Sequence, residues 1–163
     1  MPTASLFVSS VQKELAEERR AIRDFVRGDA MLSQFFRVFL FEDLPAGDRR
    51  ADKVYLDAVD RAEVYVAVLG NEYGFEDKAG VSPTEREFDR ATARGKPRFV
   101  FVKGDDDKQR HPKMAALVKK AAAQVVRRRF HSATELTIGL YASLVEHLTH
   151  SGVLRTRPFD AAA

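Results

Sequence analysis

The hydrophobic run Val64-Tyr65-Val66-Ala67-Val68-Leu69 decides the fold class of this 163-residue chain. The run shows no alternation of apolar and polar residues, which a strand with one exposed face would have. A strand of this kind is typical of a parallel sheet whose two faces are both covered by helices. The turn Gly70-Asn71-Glu72-Tyr73-Gly74 follows at the carboxyl end of the strand.

The next decisive stretch is GVSPTEREFDRATARGKP, residues 80–97, which predicts a short helix with clear ends. Ser82 is a good N-cap, and Pro83 suits the first helical position because its missing N–H is not needed there. Glu85 stands three residues after the cap and predicts a capping box. Gly95 is typical of a helix end.

Two glutamates of this helix lie on opposite flanks of its apolar stripe, because successive residues are turned by about 100°. Glu85 has a capping role, whereas no structural role is evident for Glu87. Glu87 is therefore either an ordinary solvated helix residue or a functional carboxylate near the positive end of the helix dipole.

Four further strands and four further helices are predicted around this centre. Strands are predicted over residues 6–8, 37–41, 98–102 and 124–130. Helices are predicted from Val11 with Glu17 to Arg20 on the exposed side, from Tyr55 to Ala62, from His111 and from Ser132 to Leu148. The alternation predicts an α/β fold with a five-stranded parallel sheet in strand order 2-1-3-4-5. Residues 1–150 are expected to form one domain, and residues 151–163 a tail or linker stub.

In this strand order ligands bind between strands one and three, at the carboxyl ends. That rule collects Ser9, Ser10, Asn71, Tyr73 and Gly74, with Ser82, Thr84 and Glu87 on the helix above them. Ser9 and Gln12 also predict a capping box at the first helix. Ser9 and Ser10 could thus hold an anion at a helix N-terminus, or they could simply cap the helix.

Composition excludes several classes of function. The chain has no cysteine, so it has no disulfide and no thiolate metal site. It has neither a dinucleotide-binding nor a P-loop glycine motif, and no resident cofactor or metal is predicted. A net charge of +3 is too small to indicate nucleic-acid binding. No membrane span or signal peptide is evident, so we expect a cytoplasmic protein without a membrane partner.

Three motifs together resemble a bacterial family, the domain-of-unknown-function family numbered four thousand and sixty-two. They are LFVSSVQKELAEERR at residues 6–20, VLGNEYG at residues 68–74 and SPTEREFDRATARGKP at residues 82–97. The family is similar to Toll/interleukin-receptor (TIR) domains and to nucleoside deoxyribosyltransferases. The resemblance implies a three-layer, flavodoxin-like (TIR-like) fold. It also implies an N-terminal module that precedes an effector or DNA-binding domain in signalling, defence or transcription-regulator proteins.

The enzymes among these relatives place a glutamate on the helix after strand three, where it acts at a ribose. Thr84-Glu85-Arg86-Glu87 is similar to the transferase pattern and selects Glu87. The resemblance then implies that Ser9 and Ser10 hold phosphate or ribose hydroxyls, that Tyr73 lines a base pocket and that Asp43 accepts from a ribose hydroxyl. The Trp-Cys pair that precedes this glutamate in the TIR pattern is absent here.

Two classes of function remain open at this point. One is a signalling or sensor module that recognises a nucleotide, associates with itself or controls a fused effector domain. The other is an N-glycosidic bond hydrolase that acts on NAD, a nucleoside or a nucleotide through Glu87. The missing Trp-Cys pair favours the module. A concave pocket around Glu87 and a raised carboxyl pKa would favour the enzyme.

Overall fold

A computed structural model describes residues 3–162 and shows five strands and six α-helices in that range. The strands are β1 (Ala4–Ser9), β2 (Phe36–Phe39), β3 (Val64–Leu69), β4 (Arg98–Lys103) and β5 (Arg127–Phe130). The helices are α1 (Ala16–Gly28), α2 (Leu32–Phe35), α3 (Ala51–Arg61), α4 (Pro83–Ala93), α5 (Pro112–Ala122) and α6 (Ala133–His150). A single 3-10 turn covers Phe41–Asp43.

The five strands form one parallel sheet in the order β2-β1-β3-β4-β5, which confirms the predicted topology. Strand β3 lies at the centre, and all six of its residues are buried. Ser9 at the end of β1 pairs with Ala67 of β3. The switch in strand order therefore lies between β1 and β3, as expected.

Helices cover both faces of the sheet, and the central strand divides its side chains between them. Val64, Val66 and Val68 pack in one core cluster with side chains of α1 and α6. Tyr65, Ala67 and Leu69 pack in a second cluster with side chains of α3, α4 and α5. This three-layer arrangement explains why β3 has no polar face.

The start of the first helix was predicted wrongly. Helix α1 begins at Ala16, and its N-cap residue Leu15 makes no side-chain capping bond. Ser9 remains within β1, and its hydroxyl bonds to Glu87 rather than to the backbone of α1. The capping box of Ser9 with Gln12 therefore does not form, and neither Ser9 nor Ser10 caps α1.

The structure also corrects the elements near the sheet edges. Strand β2 ends at Phe39 because the chain turns into the 3-10 segment, and β5 begins only at Arg127. The short helix α2 was not predicted from the sequence. It forms where Asp29 accepts hydrogen bonds from the N–H groups of Met31 and Leu32, at 3.0 and 2.7 Å.

Residues 151–162 form neither a helix nor a strand. Within the described range, none of the helices is both long and apolar enough to span a membrane.

Candidate active site

Helix α4 positions the candidate carboxylate, and a relayed cap fixes where this helix begins. The Ser82 hydroxyl accepts a hydrogen bond from the Glu85 N–H at 3.3 Å, as the capping-box prediction requires. The reciprocal half of the box runs through Tyr73. Its hydroxyl accepts from the Ser82 N–H at 3.2 Å and donates to the Glu85 carboxylate.

Glu87 lies two residues beyond Glu85, with only 6% of its surface exposed. The Ser9 hydroxyl donates a hydrogen bond to one carboxylate oxygen, Oε2. No hydrogen-bond partner for the other oxygen, Oε1, is found among residues 3–162. Burial raises the pKa of Glu87 to about 7, although the Ser9 hydrogen bond and the charge of Arg19 both oppose that rise.

Glu87 lines a cavity of about 660 Å³ between α3, α4 and the loop that precedes α4. Its apolar and aromatic lining residues are Ala51, Tyr55, Leu56, Phe75, Val81 and Pro83. An adjoining recess of about 170 Å³ shares Glu87 and continues to Ser10, Gly74 and Thr84. A buried carboxylate with a perturbed pKa in an apolar cavity is the usual arrangement of a catalytic acid or base.

Among the described residues that line this cavity, the one cation, Arg86, already has a partner. Asp52, Asp77 and Arg86 are the other charged lining residues. Arg86 is paired with Asp77, and the hydrogen bond from Arg86 lowers the pKa of that aspartate. Burial and the charge of Glu87 both raise the pKa of the Tyr55 phenol.

Arg19 contacts Ser10 next to the site and is buried, although the sequence analysis placed it on the exposed side of the first helix. It is only 2% exposed and donates hydrogen bonds to the Val8 carbonyl and the Ser10 hydroxyl, at 3.1 and 2.8 Å. It also forms a bidentate pair with Glu42 at 2.7 and 2.8 Å. Glu18, likewise predicted on the exposed side of α1, is buried and paired with Lys103.

The structure brings five of the sequence-predicted residues together with Glu87. Ser9 bonds to the carboxylate, and the recess beside it is lined by Ser10, Gly74 and Thr84. Ser82 is fully buried in the cap of the same helix.

Three other predicted residues lie outside the cavity. The Tyr73 hydroxyl is engaged by the helix cap, and its ring stacks on His111 at 5.7 Å. The Asn71 N–H donates to Glu14 at 2.8 Å, and its carbonyl accepts from the His111 N–H at the same distance. Asp43 is exposed and paired with Arg23 at 3.0 Å.

Two aromatic residues of the cavity were not selected from the sequence. Tyr55 lies at the start of the helix predicted from Tyr55 to Ala62, and Phe75 lies in the loop after Gly74. Phe75 is 84% exposed, and a large aromatic residue in a glycine-flanked loop was the available signal. Within residues 3–162, no group of three or more His, Asp or Glu side chains could hold a metal ion.

Comparison with solved structures supports the fold. The CMP N-glycosidase BcmB of Clostridium botulinum matches with a TM-score of 0.57 and 13% sequence identity, over 85% of this chain and 98% of that protein. The TIR domains of the activated Roq1 resistosome, which recognises the effector XopQ, match with a TM-score of 0.49 and 12% identity, over 75% and 72% of the two chains. At these identities the likeness concerns the fold alone.

No curated protein matches the sequence. The family model described as "Domain of unknown function (DUF4062)" matches residues 5–145, which is most of the chain and includes β3, α4 and all of β1 except Ala4. The resemblance first read from the three sequence motifs is therefore confirmed. This protein belongs to the DUF4062 family of domains of unknown function.

Proposed function

We propose that this protein hydrolyses the N-glycosidic bond of a nucleoside or nucleotide and that Glu87 is the catalytic carboxylate. The observation that carries the proposal is the buried Glu87 carboxyl, which lines a cavity large enough for such a ligand and has a pKa near 7. A carboxylate that has only a structural role is normally paired with a cation or with several N–H groups, whereas the Ser9 hydroxyl is the only hydrogen-bond donor to Glu87 within residues 3–162.

The chemistry assigned to Glu87 follows from its charge. When the C1′–N bond breaks, its electron pair leaves with the base, and positive charge develops on C1′ and the ring oxygen. An ionised Glu87 stabilises this charge or attacks C1′, as glycosidase carboxylates do. Water then supplies the hydroxyl at C1′, and the proton that this water loses neutralises the departing base. Because Glu87 must be ionised, the rate should rise as the pH increases through about 7.

The cavity supplies surfaces for the two parts of such a substrate. Tyr55 and Phe75 present aromatic rings on which a base can stack. Ser10 and Thr84, which line the adjoining recess, offer hydroxyls to a ribose. Ser9 donates to Oε2 and therefore fixes the carboxylate while the other oxygen is free to act.

The likeness to BcmB, which is a CMP N-glycosidase, agrees with this proposal at the level of the fold. The sequence motif Thr84-Glu85-Arg86-Glu87 agrees with it at the level of the helix. Neither identifies the base or the number of phosphates, so NAD, CMP and unphosphorylated nucleosides all belong in the test.

Chromatography of NAD, CMP and a panel of nucleosides after incubation with concentrated protein tests the proposal. We expect base release by the wild type and a loss of about 10³-fold in Glu87→Gln, which keeps the size of the side chain and removes its charge. Glu85→Gln is the matched control on the same helix and should keep most of the activity. No release from any compound, or equal release from Glu87→Gln, would contradict the proposal.

A second candidate is a self-associating signalling module, as the sequence-based comparison favoured. The observation behind it is the outer face of α6, where Ile138 and Tyr141 are 59% and 38% exposed. Sedimentation equilibrium would test it. If this face mediates association, the mass of the wild type should rise with concentration. The mass of Ile138→Lys should remain that of a monomer.

A further inference from the structure

We propose that the groove on the far side of α3 from Glu87 is a second ligand site, which takes a nucleoside phosphate. Helix α3 separates two cavities. Ala51, Asp52, Tyr55 and Leu56 face the Glu87 cavity. Lys53, Val54, Asp57, Ala58 and Arg61 face a separate cavity of about 590 Å³. The spacing within each set places the two sets on opposite faces of one helix.

The second cavity, here called the α3 groove, is strongly basic. Its charged lining residues are Arg49, Arg50, Lys53, Arg61 and a single carboxylate, Asp57. This local excess of positive charge is as large as the net charge of +3 on the whole chain. Cations concentrated around a concave surface attract anionic ligands and raise their local concentration.

Most of these cations have no carboxylate partner within the described range. Arg50 is paired with Asp52 at 2.9 Å. No ion pair of Arg49, Lys53 or Arg61 is found among residues 3–162. This pattern differs from that of Arg90 in α4 and Arg94 at its C-cap, which both bind Asp60. Arg49, Lys53 and Arg61 are therefore available for an external anion.

The floor of the α3 groove is apolar. Phe39, Leu44, Val54 and Ala58 line it, and the Phe39 ring is stacked on the buried Phe7 at 5.7 Å between centroids. A bare phosphate would not use this surface, whereas a ligand with a flat ring can stack on it. The volume of the groove is within the range of small-molecule sites.

These features together favour a phosphate over a carboxylate as the anionic group. Arg49 and Lys53 both lie at the start of α3, so two cations stand at one end of the groove. Several cations match the two charges of a phosphate monoester better than the single charge of a fatty acid. A nucleotide would thus place its base on the floor and its phosphate near Arg49 and Lys53. This assignment is independent of the chemistry proposed for Glu87.

Calorimetric titration with AMP at 0.15 M salt tests the site, in a Glu87→Gln background so that no hydrolysis consumes the probe. The double variant Arg49→Glu/Lys53→Glu should weaken AMP binding by about tenfold or more. The control Arg155→Glu/Arg157→Glu makes the same change of charge in the exposed tail and should leave the affinity within about twofold.

A third variant, Ala58→Phe, fills the floor without a change of charge. It should weaken the binding of AMP, and it should leave the weaker binding of inorganic phosphate unchanged. Decanoate should compete poorly with AMP. Absence of AMP binding, equal losses in the two double variants, or displacement of AMP by decanoate at equal concentration would overturn the proposal.

Discussion

Glu85 and Glu87 stand two residues apart on α4, and their surroundings differ in hydrogen-bond partners and in neighbouring charges. Glu85 accepts a hydrogen bond from the Tyr73 hydroxyl and pairs with Lys120 at 3.1 Å. Glu87 has the Ser9 hydroxyl as its hydrogen-bond donor and lines an apolar cavity. Burial raises the pKa of Glu87 to about 7.

The difference between the two sites shows that the helix itself does not set the role of either glutamate. Both lie in the first half of α4, where the helix dipole favours a negative charge. The side chains from other elements distinguish them. Lys120 pairs with the Glu85 carboxylate and Tyr73 donates a hydrogen bond to it, whereas β1 offers Glu87 a single hydroxyl. One flank of the helix stabilises the fold, and the other keeps a carboxylate that is costly to ionise.

The largest expected effect is on stability and uses Glu87→Gln. A folded-state pKa near 7, against 4.5 in the unfolded chain, means that the folded state retains a proton that the unfolded state has lost. The wild type should therefore lose stability as the pH rises from about 4.5 to about 7, by up to about 3 kcal/mol. Glu87→Gln removes this loss and should be the more stable protein at pH 8. Urea unfolding at pH 5 and pH 8 measures the difference.

Glu85→Gln is the control for that experiment. It weakens an ion pair that is partly exposed, so we expect a loss of about 1 kcal/mol or less and no gain in stability at pH 8. A gain of stability at pH 8 in both variants, or in neither, would remove the contrast between the two sites.

Tyr73→Phe should produce the next largest effect, because Tyr73 joins the cap to Glu85. The substitution leaves the buried Ser82 N–H without its acceptor and removes one donor from Glu85. We expect a loss of about 2 kcal/mol that varies little between pH 6 and pH 8. Urea unfolding again provides the measurement. A loss below about 0.5 kcal/mol would show that the relayed cap contributes little.

Much of this fold could be predicted from the sequence because its signals are local. The unbroken apolar pattern of β3 predicts a sheet covered on both faces, and alternation of strands with helices then leaves the observed strand order. Ser82 and Pro83 likewise mark the start of α4 within two adjacent residues. These features depend on neighbours in the chain, which a sequence displays directly.

The candidate site was harder to predict because its contacts join distant segments. The bond of Ser9 to Glu87 spans 78 residues, and local spacing instead suggested that Ser9 caps α1. Arg19 lies among charged neighbours that are typical of an exposed helix face, yet it is buried by its contacts with β1 and Glu42. The family resemblance implied that Tyr73 lines a base pocket, whereas its hydroxyl accepts a hydrogen bond from the Ser82 N–H.

A smaller effect should come from Lys120→Met, which removes the cation beside Glu85 but keeps the aliphatic chain. Lys120 also contacts Asp89, at 2.5 Å, and its side chain is 37% exposed. We expect a loss of about 0.5 kcal/mol that added salt reduces further, because the pair is partly solvated. Thermal unfolding at low and high salt measures it. A salt-independent loss would indicate packing rather than charge.

The smallest expected effect is that of Ser9→Ala on the Glu87 site. The Ser9 hydroxyl stabilises the ionised carboxylate, so its removal should raise the pKa of Glu87 above about 7. The fall in stability with pH should then extend to higher pH than in the wild type. A shift to lower pH would show that the hydroxyl does not donate to the carboxylate.

The most direct test of the contrast between Glu85 and Glu87 is a carboxyl ¹³C NMR titration of the wild type, Glu87→Gln and Glu85→Gln. We expect one carboxyl resonance of the wild type to titrate with a midpoint near pH 7, to disappear in Glu87→Gln and to persist in Glu85→Gln. If the resonance that disappears in Glu87→Gln instead has a wild-type midpoint near pH 4.5, the assignment is contradicted. It would make Glu87 an ordinary helix glutamate.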